Sequence, residues 1–114
     1  MKTFIQTLWV MVISAAVLFL PRLAYAAEIQ MGAGGMLVFE PCELTVDVGE
    51  TVTFINNELP PHNVMFAGYE ELSHGDLMFS AGESFDVTFE KAGDYNFQCD
   101  PHAGAGMKGV IHVQ

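Results

Sequence analysis

A cysteine, a histidine and a methionine lie close together in one short stretch of the sequence. Cys99, His102 and Met107 fall within nine residues of one another. A thiolate, an imidazole and a thioether are soft or borderline ligands, and this mixture suits copper far better than magnesium or calcium. The short spacing of Cys99 and His102 lets a tight turn aim both side chains at one point, and Gly104 and Gly106 let the chain fold back toward that point. The stretch therefore predicts three ligands of a copper site.

A fourth ligand is expected from the upstream part of the chain. His62 follows two consecutive prolines, which restrict the backbone that leads into the next predicted strand. With Cys99 and His102 it would form a trigonal set, and Met107 would be a distant axial ligand. We expect these four side chains to hold one copper ion in a blue-copper electron-transfer site.

Other functions use similar residues. Zinc could bind the same cysteine and histidines, but a methionine is a poor zinc ligand. In copper oxidases and reductases, histidines flank the copper cysteine, whereas Gln98 and Asp100 hold those positions here, so we expect no enzyme activity. A copper storage or delivery protein would offer open methionine or histidine clusters. We expect His74 and His112 to be structural or solvent-facing.

The apolar residues from position 42 onward alternate with polar ones, which is typical of strands with one buried face. Clusters of turn-forming residues separate the alternating runs. The spacing predicts an all-β fold, a single antiparallel β-sandwich of seven or eight strands. The alternating positions are Leu44, Val46 and Val48; Val52 and Phe54; Phe85, Val87 and Phe89; Tyr95 and Phe97; and residues 110–113.

The first 26 residues have the pattern of an export signal. Lys2 precedes an apolar run over residues 8–20, and Ala24 and Ala26 form a small-x-small cleavage pattern. The apolar run is shorter than the ~20 residues that span a bilayer. We expect cleavage after Ala26, which leaves a mature domain of residues 27–114 outside the cytoplasm.

The predicted mature domain is strongly acidic. All 14 acidic residues lie in it, but of the basic residues only Lys91 and Lys108 do, so its formal charge is 2 − 14 = −12. Nucleic acid and anionic lipid are therefore poor partners. Two cysteines suggest a disulfide by parity, but Cys99 must be a free thiolate to bind copper, so we expect Cys42 to remain a free thiol.

The sequence resembles the plastocyanins over nearly all of residues 27–114. The most specific stretch is Cys-x-Pro-His-x-Gly-Ala-Gly-Met-x-Gly at 99–109, and the Pro-Pro-His-Asn-Val block at 60–64 and the segment 44–54 also match. The resemblance implies a cupredoxin-like Greek key fold with His62, Cys99, His102 and Met107 as copper ligands. It also implies that Asn63 steadies the loops that carry these ligands.

The resemblance further implies a monomeric electron carrier of cyanobacterial type. It would work in the thylakoid lumen, peripheral to the membrane, and shuttle electrons by transient contacts from cytochrome f to photosystem I. By the same resemblance, Gly35, Leu37, Pro61 and Ala103 should form a flat apolar rim around the edge of His102.

The sequence departs from the family pattern at three places. The segment between Phe66 and Leu72 is short, so the helix often found there is expected to be reduced to a turn. Gln98 replaces a family tyrosine next to the copper cysteine, and only Glu70 and Glu71 represent the acidic runs of plant forms. These departures concern how partners dock and leave the predicted copper site unchanged.

Overall fold

The computed structural model describes residues 27–58 and 60–114, so the predicted export signal over residues 1–26 lies outside it. Most of the described chain forms β-strands connected by turns. The strands are β1 (Ala27–Met31), β2 (Phe39–Glu40), β3 (Glu43–Val46), β4 (Thr51–Asn56), β5 (His62–Phe66), β6 (His74–Met78), β7 (Ser84–Thr88), β8 (Gly93–Gln98) and β9 (Lys108–Val113). Short 3-10 helices cover Ala33–Gly35, Glu70–Leu72 and Asp100–Ala105. None of the helices in the described residues has the length and apolar character needed to cross a membrane.

The strands form two sheets that pack face to face. One sheet has four strands in the order β2-β1-β4-β7, and the other has five in the order β3-β9-β8-β5-β6. The predicted all-β sandwich is therefore confirmed. The short segment before Leu72 forms a single 3-10 turn, Glu70–Leu72, in agreement with the expected loss of a longer helix.

Two details of the predicted sandwich are wrong. The described residues contain nine strands where seven or eight were expected, and the sheets are mixed, because β1 pairs with β4 in parallel and β3 pairs with β9 in parallel. Alternation of apolar residues reports which face of a strand is buried, but it carries no information on the direction of the neighbouring strand. The two-residue strand β2 is also too short to show a period.

The core between the sheets is rich in phenylalanine. Phe54 on β4 makes edge-to-face contacts with Phe39, Phe66 and Phe97, at ring-centroid distances of 6.3, 6.0 and 5.3 Å. Each buried ring contributes about 1.5–3 kcal/mol of hydrophobic stabilisation, and favourable edge-to-face geometry adds to this. Val46 is buried as the alternation predicts, whereas Val48 lies in the turn after β3 and is 46% exposed.

Three neighbouring strands place the predicted ligands at one end of the sandwich. β5 begins at His62, and the antiparallel strand β8 ends beside it at Gln98. The chain then forms the ligand loop, which we define as residues 99–107, before β9 begins at Lys108. Because β5 and β8 run in opposite directions, the start of β5 and the end of β8 lie at the same end of the sandwich.

Candidate metal centre

Three of the four predicted ligands converge in the structure. One donor atom from each of His62, Cys99 and His102 lies within 4.8 Å of the other two. The Sγ of Cys99 is 3.8 Å from Nδ1 of His62 and 3.3 Å from Nδ1 of His102. The two imidazole rings are inclined by 68°, with centroids 5.1 Å apart. Both histidines therefore face the thiol through the same kind of nitrogen.

His62 is held rigidly at the start of β5. It pairs with Met78 on β6, and a register irregularity follows between His62 and Val64. Its side chain is fully buried. Burial lowers the pKa of the His62 imidazole, the nearby His102 lowers it further, and the Glu58 backbone carbonyl opposes both. The ring is thus kept neutral, which is the form that binds a metal.

Cys99 follows β8 and is completely buried. Burial raises the pKa of its thiol and the charge of Asp100 adds to this effect, while the backbone N–H groups of Asn63 and His102 act in the opposite direction. The metal-free thiol therefore stays protonated at neutral pH, and binding of a metal ion would release that proton.

The ligand loop is tied to itself by backbone hydrogen bonds. The His102 N–H donates to the Cys99 carbonyl at 3.1 Å, and the Cys99 N–H donates to the Met107 carbonyl, also at 3.1 Å. Gly106 adopts a left-handed conformation with φ of 90°, which ends the 3-10 helix and turns the chain toward Met107. The Met107 side chain is fully buried, whereas His102 is only half-buried.

Asn63 connects the two segments that carry the ligands. Its Oδ1 accepts a hydrogen bond from the Asp100 N–H at 2.9 Å, and its Nδ2 donates to the Gly75 carbonyl at 3.1 Å. Asn63 thereby joins β5, β6 and the ligand loop. This agrees with the role that the resemblance implies for it.

The geometry of the three donors fits a single metal ion. For bonds of about 2.0 Å to nitrogen and 2.3 Å to sulfur, ligands at tetrahedral to trigonal angles lie roughly 3.5–3.7 Å apart. The two observed sulfur–nitrogen distances, 3.3 and 3.8 Å, lie on either side of this range. Buried nitrogen and thiol donors of this kind suit copper.

The four residues of the expected apolar rim differ in their exposure. Leu37, Pro61 and Ala103 are half-buried and Gly35 is exposed. Met36, between Gly35 and Leu37, is 63% exposed. This exposure excludes Met36 from the core and leaves its side chain available to extend the rim.

Cys42, His74 and Gln98 are not among the three converging donors. Cys42 is exposed and, like Cys99, forms no disulfide among the described residues. The His74 ring packs on Phe85. A surface groove of about 460 Å³ lies beside Gln98, whose Nε2 donates to Oδ1 of Asp100 at 3.0 Å.

His112 makes contacts that the sequence did not predict. Its Nδ1 is 2.6 Å from Oδ1 of Asp94 on β8, and its Nε2 is 2.8 Å from Oε1 of Glu43 on β3. Hydrogen bonds to Asp94 and Glu43 raise the pKa of His112. The residue is a link between three strands, in agreement with the expected structural role.

Comparison with known proteins points to the same chemistry. The family described as "Copper binding proteins, plastocyanin/azurin family" matches residues 26–114. The plastocyanin of Scenedesmus fuscus is 47% identical over 95 residues, which cover 75% of this chain and 97% of that protein. The plastocyanin of Nostoc punctiforme is 40% identical over 119 residues, covering 91% of this chain and 86% of the relative.

A solved structure supports the fold. The oxidised plastocyanin from Dryopteris crassirhizoma superposes with a TM-score of 0.71 at 31% identity, covering 77% of this chain and 100% of that one. Together with the His-Cys-His group, these matches establish copper as the cofactor and electron transfer as the general activity. The chain belongs to the plastocyanin/azurin family of copper-binding proteins.

Proposed function

We propose that His62, Cys99, His102 and Met107 hold one copper ion, with Met107 as the weak axial ligand. The observation that carries this proposal is the convergence of one thiol and two imidazoles, with one donor atom of each within 4.8 Å of the others. Met107 is fully buried in the same loop, and its backbone is hydrogen-bonded to that of Cys99 and His102. A soft thioether beside a thiolate and two imidazoles completes a blue-copper ligand set.

Bound copper supplies the exchange of a single electron between its two oxidation states. The contribution of the protein is to keep the ligand geometry the same in both states, because a site that rearranged at each transfer would be slow. The packed sheets hold His62, and the hydrogen bonds of Asn63 and of the ligand loop hold the other donors. Burial of Cys99 excludes water from the sulfur and favours the lower charge of copper(I).

His102 is the proposed route of the electron to the surface. Of the three converging donors, it alone is not fully buried. The rim residues Gly35, Met36, Leu37, Pro61 and Ala103 would surround its exposed edge with apolar surface. Such a patch is typical of a docking site. Transient electron-transfer contacts bury less than about 1,200 Å², which allows fast release.

The specific partners are part of the proposal. We infer that the chain accepts electrons from cytochrome f and passes them to photosystem I in the thylakoid lumen, as a monomer and without catalysing a reaction itself. Support comes from the similarity to plastocyanins and from the export pattern of residues 1–26. We propose residues 27–114 as the functional domain, which the family match over residues 26–114 supports.

A visible spectrum of the copper-loaded protein tests the proposed site. The copper(II) form should show a strong blue band, because the colour arises from charge transfer between the Cys99 thiolate and copper. Cys99→Ser should abolish the band, whereas Cys42→Ser, an equal change at an exposed cysteine, should leave it unchanged. Loss of the band in both variants, or in neither, would contradict the assignment. Rapid oxidation of the reduced protein by photosystem I, and rapid reduction by cytochrome f, would then test the partners.

A further inference from the structure

The outer edge of the His62 ring faces Gly32, the residue that precedes the first 3-10 helix. Nδ1 of His62 faces Cys99, so Nε2 points away from the metal centre. This nitrogen is buried without a well-formed hydrogen bond among the described residues, although the Glu58 carbonyl is close enough to act on the ring. What packs against Nε2 therefore decides how far the ring can retreat from Cys99.

Gly32 packs directly against the outer edge of the His62 ring. It is buried and follows β1 directly, with φ of 75° and ψ of 32°. A Cβ atom at this position would lie 2.6 Å from Nε2 of His62, 3.2 Å from Cδ2 of the same ring and 2.8 Å from the Glu58 carbonyl oxygen. Real Cβ atoms do not approach other atoms this closely, so a side chain at residue 32 would displace the imidazole or the backbone.

The backbone of Gly32 is not free to move aside. Its N–H donates to the Val38 carbonyl at 3.0 Å, and its carbonyl accepts a hydrogen bond from the Gly35 N–H at 3.0 Å. The preceding residue, Met31, is paired with Asn56 on β4 and with Phe39 on β2. Strands β2 and β4 and a tight turn thus hold the backbone of Gly32 in place.

We infer that Gly32 is a positioning residue for the metal centre: its missing side chain leaves room for the outer edge of the His62 ring, and its fixed backbone prevents the ring from withdrawing from Cys99. This inference rests on the proposed role of His62 as a copper ligand. Close packing against Gly32 would help to hold the imidazole in one orientation, a role that hydrogen bonds usually have for ligand histidines.

The chain provides matched controls for Gly32. Gly34, two residues along, and Gly68, far from the site, also have left-handed backbones, with φ of 64° and 80°. A Cβ atom on either would meet no described atom within 4 Å. Alanine at any of these positions carries a similar backbone strain, but only Gly32→Ala should collide with His62.

The first experiment compares the copper-loaded variants. Gly32→Ala should alter the blue band and the electron paramagnetic resonance spectrum, and should weaken copper binding by about 10-fold to 100-fold, the usual effect of disturbing a group that orients a ligand. Gly34→Ala and Gly68→Ala should retain the parent spectra and affinity. If Gly32→Ala matches these controls in both readouts, Gly32 does not position the ligand.

The second experiment uses the metal-free protein, so it does not depend on copper. Gly32→Ala should lower the melting temperature by about 5 °C or more beyond Gly34→Ala. In a His62→Gly background, which removes the colliding ring, this extra loss should become markedly smaller. If Gly32→Ala folds only when combined with His62→Gly, this result would equally support the contact between residue 32 and the His62 ring.

The two experiments separate the two hypotheses. If the extra loss is unchanged by His62→Gly, or if Gly32→Ala fails to fold in both backgrounds, the collision is with the backbone and the inference is wrong. If the metal-free proteins show the coupling but copper produces no blue band even in the parent chain, the contact stands and the proposed function fails.

Discussion

The side-chain oxygen of Asn63 accepts a hydrogen bond from the backbone N–H of Asp100 at 2.9 Å, and this bond fastens the ligand loop to β5. We predict that Asn63→Ala destabilises the metal-free protein by about 1–2 kcal/mol, since it also removes the hydrogen bond to the Gly75 carbonyl. Urea unfolding measures the change. Asn96→Ala, at an exposed position on β8, should cost less than half as much. Equal losses would show that Asn63 has no special role in joining the two segments.

Met107→Leu should leave the protein blue but raise its reduction potential. The proposed axial thioether is a weak donor to copper, so its removal stabilises copper(I) relative to copper(II) while the thiolate remains in place. The expected shift is on the order of 60 mV, which corresponds to about a tenfold change in a one-electron equilibrium. Redox titration followed by the blue band measures it. Complete bleaching would instead make Met107 a primary ligand.

The two thiols should differ in reactivity. Cys42 is exposed and Cys99 is buried with a raised pKa, and only the thiolate form of a cysteine reacts readily. We predict that one thiol of the folded protein reacts quickly with a disulfide reagent and that a second reacts only after unfolding. In Cys42→Ser the fast phase should disappear. A denatured, metal-free parent chain with no reactive thiol would reveal a disulfide and contradict the copper site.

His112 should make stability depend on pH. Because Asp94 and Glu43 raise the pKa of His112 in the folded protein, its stabilising effect is complete below the unfolded histidine pKa of about 6.5. The effect is lost as the pH rises through the higher folded pKa. His112→Gln should remove this part of the pH dependence, as measured by denaturant unfolding between pH 5 and 9. High salt should weaken it, because both carboxylates are largely exposed.

Nuclear magnetic resonance of the His112 ring provides an independent measurement. Glu43→Gln removes one of the two carboxylates while leaving Asp94 in place, so the measured pKa of His112 should fall toward its ordinary value without reaching it. An unchanged pKa in Glu43→Gln would show that Asp94 alone accounts for the shift.

The proposed docking surface predicts different salt dependence for apolar and charged changes. Leu37→Glu should slow electron transfer to photosystem I about tenfold or more even at high salt, because it places a charge in the apolar rim. Glu70→Lys should act mainly at low salt, since exposed charges chiefly steer association and are screened. Flash oxidation across a salt series measures both.

Met36→Glu is a control for the effect of Leu37→Glu on the fold. Leu37 is half-buried and packs against the core, so its replacement could also disturb the fold, whereas Met36 is 63% exposed. If both glutamate variants react like the parent at high salt while Glu70→Lys remains slow there, the electron leaves by the Gln98 side and the docking proposal is wrong.

The sequence was most informative about features that depend on residues close together in the chain, such as the Cys99–His102 spacing and the alternation of apolar residues. Cys99 and His102 are three residues apart, so their types and spacing alone indicated a shared site, and Phe54 and Phe97 were correctly placed in the core by their period. His62 was harder to place, because it lies 37 residues before Cys99 and only strand pairing brings the two together. Its pair of prolines was the one local sign.

The features that the sequence did not reveal depend on contacts between distant segments. The parallel neighbours of β1 and β3, the two carboxylates around His112 and the packing of Gly32 behind His62 all arise from tertiary structure. The stretch 32–35 contains three glycines, and the sequence does not indicate which of them must lack a side chain. That distinction follows only from the position of the imidazole.

The parallel pairing of β3 with β9 has a consequence for how the molecule folds. Glu43 is paired with Val110, a separation of 110 − 43 = 67 residues, and within its sheet β3 has β9 as its neighbour. β3 can therefore join its sheet only when β9 is available, and until then its backbone groups remain exposed to solvent. Because closing so long a loop must precede the pairing, we expect the molecule to fold on the scale of milliseconds to seconds, more slowly than a helical bundle of similar size.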